Sequence, residues 1–128
     1  MGALTNVAEN RFLDHVCLVS TWTPTAPLKV ALYRVAPTEA GGGTEVSGGS
    51  YARTNVTFSA ASNGSITNSN DVVFPVATAS WGTVVAIAIF DSAATPTMIW
   101  YGTTSTGKTV ESGDEYRLPA GSIVLTSD

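Results

Sequence analysis

The sequence predicts an all-β fold: one compact β-sandwich or barrel-like domain spanning residues 1–128, with an N-terminal α-helix over about residues 6–18 and a β domain over about residues 28–126. Short runs rich in β-branched and aromatic residues alternate with glycine, proline and asparagine turn signals, the pattern of a strand-built domain. Thr83–Phe90 (TVVAIAIF) is almost wholly apolar, as a strand covered on both faces must be. Helical periodicity appears at the N-terminus alone, and no repeat of roughly 20 to 50 residues is visible.

In the helix, Asn6 is the expected N-cap, with Glu9 three residues on as in a capping box, and Ala8, Phe12, Leu13 and Val16 recur on one face. Proline cannot continue a helix, so Thr23–Pro27 (TPTAP) is expected to stop it. Leu28–Val35 (LKVALYRV) reads as the first strand, Ala36–Ser50 as a turn-rich joint, and Tyr51–Phe58 (YARTNVTF) as the second strand. The polar stretch 59–70 (SAASNGSITNSN) separates it from Asp71–Pro75 (DVVFP). Within Thr83–Phe90, alternation points Val85, Ile87 and Ile89 one way and Ala86 and Ala88 the other. The small-residue face admits close approach by either the helix or an opposing sheet. Thr97–Thr104 (TMIWYGTT), Glu115–Leu118 (EYRL) and Ser122–Thr126 (SIVLT) complete the strands.

A chain of 128 residues can bury roughly two-thirds of its unfolded surface and hold a core without staples, and the lone Cys17 allows no internal disulfide. The net charge is −4 with pI near 4.7, and the six basic residues are scattered. A phosphate-tracking patch is therefore absent from the sequence pattern, and no nucleic-acid partner is expected. No segment approaches the ~20 apolar residues of a membrane span, and MGALTNVAENRF lacks the charged start and apolar centre of a signal peptide. Neither a membrane nor export is expected. Charged residues make up 12% of the chain, about half the ~25% usual in soluble domains. Hydrophobic residues stay at 44%, and threonine alone contributes 18 residues. A surface so poor in charge suits a protein partly covered by partners, and equally a β protein whose outer faces are solvated by Ser and Thr.

GTTSTGKT (Gly102–Thr109) fits the phosphate-binding loop pattern of Gly, four residues and Gly-Lys-Thr. That loop works between a strand and a helix whose N-terminal N–H groups face the phosphates. Thr97–Tyr101 can supply the strand, but Gly113 and Pro119 interrupt any following helix, and only 19 residues remain after the motif. A hairpin connection turning at Gly107-Lys108 is expected instead.

Other chemistry fails similarly. His15 and Cys17, two apart on a helix, face about 200° from each other and cannot form a dyad. Cys17 is expected in the core and His15 at the helix surface. One histidine and one cysteine build neither a His-rich nor a thiolate metal site. Asn68–Asp71 offers oxygen ligands but lacks the glycine and bidentate acid of an EF-hand loop, so it reads as a polar turn. Glu111, Asp114 and Glu115 share a glycine-containing turn instead of facing one another across a cleft. No catalytic, cofactor-binding or metal-ligating residue is expected, and the protein is not expected to be an enzyme.

Taken together, Ala36–Arg53 (APTEAGGGTEVSGGSYAR), Phe74–Asp91 (FPVATASWGTVVAIAIFD), Lys108–Gly121 (KTVESGDEYRLPAG) and an N-terminal helix carrying LDHV (13–16) resemble a family of small virion structural proteins of tailed bacteriophages. Members are often labelled tail-fibre proteins, and similar small β proteins coat phage heads as decoration or cement. In that pattern Lys-Thr-Val begins a late strand. The chain departs from the pattern at Cys17–Trp22, where a glycine-rich exit is usual, and in the shortness of residues 59–70.

The resemblance implies a virion component assembled in the host bacterial cytoplasm. Because the chain lacks the long repetitive shaft of a fibre, the main expectation is a head decoration or cement protein. It would bind the outer capsid surface and stabilise contacts between capsid subunits, with the major capsid protein and copies of itself, as a trimer, for partners. The alternative is a tail fibre or a baseplate or tail adaptor with tail-protein partners, followed by a carbohydrate-binding module using Trp100 and Tyr101 as sugar platforms. Interface cores are depleted in charge and enriched in aromatics and arginine, so Leu4, Trp22, Glu45, Tyr51 and Arg53 are the expected assembly contacts, although Trp22 and Tyr51 could equally seal the domain.

Overall fold

The computed structural model describes residues 3–126; residues 1, 2, 127 and 128 of the expected domain lie outside the described residues. Three long antiparallel strands form its centre: β2 (Leu28–Val35), β7 (Gly82–Phe90) and β8 (Met98–Val110), with β7 in the middle. The short β1 (Ala3–Leu4) pairs with the far side of β8, while β3 (Thr44–Glu45) and β4 (Thr54–Val56) share the outer edge of β2. Two antiparallel ribbons complete the β structure: β5 (Ser65–Thr67) with β10 (Val124–Thr126), and β6 (Val72–Val73) with β9 (Arg117–Leu118). The expected all-β fold with one N-terminal helix is what forms.

The large sheet is covered on both faces, which explains its continuous apolar sequence. One face sends Val30, Leu32, Val84, Ile87 and Ile89 into the main core, where they meet Val72, Phe74, Leu118, Ile123 and Leu125 from the ribbons and their flanks. Trp81 and Tyr116 fill the space between. The opposite face presents Ala31, Ala86 and Ala88 beside Tyr33 and Phe90. Ala36, at the start of the β2–β3 connection, packs on this cluster, and the carbonyl of Glu39 in the same connection accepts the Asn6 N–H at the helix start (2.9 Å). Small side chains let that strap of backbone lie close.

Alternation within β7 holds from Ala86 onward and slips before it. Val84 enters the main core and Val85 packs with the alanine face, because the register shifts between Val84 and Ala86. Val84 pairs with Lys108 but Ala86 pairs with Thr103, leaving Thr104–Gly107 as an outward bulge in β8. GTTSTGKT is therefore the bulged second half of one long strand. The turn expected at Gly107-Lys108 does not form, Gly107 lacks positive φ, and Lys-Thr-Val ends β8 instead of starting a later strand.

The helix α1 (Asn6–Val16) is capped one residue earlier than expected. Thr5 is the N-cap; its hydroxyl accepts from the Ala8 N–H (3.2 Å) and donates to the Met98 carbonyl (2.7 Å). It also stops well before the prolines. Cys17 caps the C-terminus, Leu18 turns to φ 66°, the Leu18 N–H donates to the His15 carbonyl (3.3 Å) and the Val19 N–H to the Asp14 carbonyl (2.8 Å), a Schellman ending. Two further expectations change. Tyr51–Phe58 pairs regularly only over Thr54–Val56, and the polar stretch 59–70 contains β5, because pairing with β10 supplies order that its Ser and Thr composition hides.

Candidate functional site

The five residues expected at an assembly surface fall into two places. Leu4 and Trp22 line a groove of about 410 Å³ with Glu9, Phe12, Leu13, Pro24, Ile99 and Trp100. Its floor arises because β1 aligns Leu4 with Trp100 before Thr5 starts the helix. Its far wall is the chain returning from the helix, held where the Trp22 N–H donates to His15 Nδ1 (3.3 Å) and the Arg11 guanidinium sits 5.8 Å from the Trp22 ring centroid. The helix docks through Thr5, Ala8 and an Arg11–Thr97 hydrogen bond. Of the apolar stripe seen in the sequence, Ala8 alone is buried; Phe12, Leu13 and Val16 remain at least half exposed. Cys17, expected in the core, is also exposed, since the helix ends before the chain turns inward.

Glu45, Tyr51 and Arg53 converge elsewhere, on one another. Glu45 Oε2 accepts from the Tyr51 hydroxyl (2.6 Å) and Arg53 Nε (2.9 Å), and Oε1 accepts from Arg53 Nη2 (2.9 Å). The Arg53 guanidinium lies 3.8 Å from the Phe90 ring centroid. The Tyr51 hydroxyl in turn accepts the Leu32 N–H (3.0 Å), at the point on β2 between its pairings with β4 and β3. This cluster supplies a hydrogen bond where no strand does, and both Glu45 carboxylate oxygens and the Tyr51 hydroxyl are engaged within the chain. Burial, then the bond to Glu45, holds the Tyr51 hydroxyl above its ordinary range; Tyr33 beside it is pushed up to about 12, chiefly by burial.

Burial acting alone would raise the Glu45 carboxyl, but the bonds from Arg53 and Tyr51 outweigh it and the net direction is downward. A carboxyl whose folded-state value lies below its unfolded value contributes stability that is complete above the ordinary glutamate range and is lost as pH falls through the folded value. Glu45→Gln is accordingly expected to cost about 1–2 kcal/mol at neutral pH, where it removes charge-assisted bonds. The difference should shrink in acid. Urea titrations at neutral and acidic pH measure it, and an unchanged difference at both would contradict the assignment.

The remaining sequence candidates are occupied structurally. Asn70 Oδ1 accepts the Thr57 N–H (3.0 Å) and Asp71 Oδ1 the Ala120 N–H (2.8 Å), so the Asn68–Asp71 oxygens hold neighbouring chain. Asp114 Oδ2 accepts the Glu111 N–H (2.9 Å) within its turn. Lys108, the phosphate-loop lysine by pattern, reaches the Glu115 carbonyl (3.3 Å) and the Tyr116 ring (5.5 Å), and among the described residues no helix follows it. Among the described residues no three His, Cys, Asp or Glu side chains gather as a metal site, and no helix is long and apolar enough to cross a membrane.

Sequence reasoning missed the exposed Phe12, Leu13 and Val16 beside the groove, whereas Leu18 and Val19 fall in Cys17–Trp22, the departure from the family pattern that reads as a contact region. The signal for the first three was the helical apolar stripe running on into Cys17-Leu18-Val19, and assuming its burial concealed it. In comparisons with known proteins, a family model described as podophage GP4 fiber I protein gp80 matches residues 3–126. No curated protein matches.

Proposed function

We propose that this chain, which belongs to the podophage GP4 fiber I protein gp80 family and is thereby a bacteriophage virion structural protein, is a component of the tail-fibre apparatus. The observation that carries the proposal is the extent of the match, which runs through every described residue. Head decoration, the main expectation from the sequence, gives way to its alternative, because the family description names a fibre and the argument against one rested only on the missing repetitive shaft.

The proposed role is non-enzymatic, with tail proteins and copies of the same chain as partners. Function then consists of burying surface against neighbours. The rigid sheet presents two features for that work: an apolar groove beside α1, and a low-charge exterior rich in Ser and Thr. Quantitative mass spectrometry of purified virions tests location, by counting this chain against the major capsid protein. A few tens of copies or fewer per particle is the expected result. Hundreds in fixed proportion to the capsid protein would return the chain to the head, and absence would remove it from the virion.

A further inference from the structure

Five exposed large apolar side chains fall on the second half of α1 and its exit: Phe12 is 50% exposed, Leu13 58%, Val16 57%, Leu18 91% and Val19 73%. These five residues expose on the order of 600 Å², at the upper end of the ~300–600 Å² largest patch of a typical monomer. With the adjoining groove they approach the ~800 Å² that each partner gives to a standard protein interface.

Leu18 singles out the corner of this patch. It occupies the left-handed position of the helix ending, φ 66°, where glycine fits and a branched side chain is sterically disfavoured. At 91% exposure its side chain makes almost no contact within its own chain to offset that strain. Val19 follows it, pinned by the bond to the Asp14 carbonyl. The result is a rigid apolar knob at one end of the helix, next to an apolar groove whose lining includes one charged side chain, Glu9.

We infer that the occupant of this groove is a second copy of the same chain, whose Leu18-Val19 corner seats between Phe12, Leu13 and Trp100. Because knob and groove adjoin in one patch, two copies can seat each other's knobs reciprocally, an isologous contact that closes as a dimer. The inference rests on the assembly reading above and names the surface that serves it. It concerns residues whose exposure lets them be changed without opening the core.

Sedimentation velocity on the purified full chain over a wide concentration range tests it, using wild type, Leu18→Gly and Leu13→Asp. Wild type is expected to associate reversibly in the micromolar range or more tightly. Leu18→Gly removes both strain and knob, so in dilute solution it should melt higher by roughly 3 °C yet associate at least about tenfold more weakly. Leu13→Asp should stay monomeric with an unchanged circular dichroism spectrum. A wild-type chain that is monomeric throughout, or variants that associate as wild type does, would overturn the inference. Either result leaves the virion copy number free to decide the fibre reading separately.

Discussion

Replacing Trp81 by alanine is expected to destabilise the protein by about 3–5 kcal/mol, a large part of the ~5–15 kcal/mol that holds a domain together. Trp81 is 2% exposed and belongs to the main core. Its ring meets Tyr51 edge-on at 5.5 Å, and Tyr51 stacks on Phe74 at 6.3 Å, so one indole supports the aromatic row that closes the core. Its Nε1–H donates to the Gly49 carbonyl (2.9 Å). That contact is close: a β-carbon at Gly49 would lie 2.9 Å from Trp81 Nε1, and Gly49 has φ 56°. The cavity left by alanine cannot collapse easily, because its walls are sheet on one side and aromatic rings on the other. Urea unfolding followed by circular dichroism measures the loss. Trp81→Phe separates the two contributions, since it keeps most of the volume and removes one hydrogen bond, for about 0.5–1.5 kcal/mol, while the Gly49 carbonyl keeps the Thr78 N–H (3.0 Å). A loss under ~1 kcal/mol for the alanine variant would contradict the packing described.

Asn68→Ala is expected to cost about 2–4 kcal/mol, through polar satisfaction and not through volume. Asn68 is 2% exposed, yet its amide is fully used: Nδ2 donates to the Asn70 carbonyl (2.8 Å) and the Pro119 carbonyl (3.1 Å), and Oδ1 accepts the N–H of Ile123 (2.9 Å). These bonds tie the end of β5 to the chain between β9 and β10. Alanine leaves the buried Ile123 N–H and the Asn70 carbonyl without the partners that Asn68 supplies, while the Pro119 carbonyl keeps the N–H and hydroxyl of Ser122 (3.0 and 2.6 Å). Asn68→Asp should be worse at neutral pH, because a carboxylate would face two carbonyl oxygens in a buried site. It should recover part of the loss in acid, where protonation restores a donor. Equal stability of the Asp variant in acid and at neutrality would mean that the amide's donors do not matter.

The same residue shows why part of the structure was legible in the sequence and part was not. Asn68 sits in a run of Ser, Asn and Thr that reads as a polar turn, and a turn is where it begins; its burial depends on residues 51 and 55 positions further along the chain. Leu28–Val35, by contrast, forms a strand over the predicted boundaries, because its β-branched and apolar residues favour an extended chain whatever they pair with. Thr83–Phe90 was readable as the most buried segment for the same reason, while the slip at Val85 came from the four-residue bulge of another strand. At the candidate site, Glu45, Tyr51 and Arg53 could each be named, but only folding aims all three at the Leu32 N–H.

Sequence alone determined the class of fold, the strands at its centre, the place of the helix and the absence of a helix behind GTTSTGKT. These follow from periodicity, turn chemistry and proline or glycine placement, which act over a few residues. Tertiary structure decided which apolar surface is covered. A stripe on a helix states that one face is apolar, and the return path of the chain states whether anything lies against it. Here Ala36 of the β2–β3 connection packs on the alanine face of the sheet, Thr5 and Ala8 anchor the first turn of α1, and the chain returning from the helix walls a groove with Trp22 while Phe12, Leu13 and Val16 stay at least half exposed. Burial of a helix face depends on distant segments meeting it, so its apolar stripe could not assign that burial.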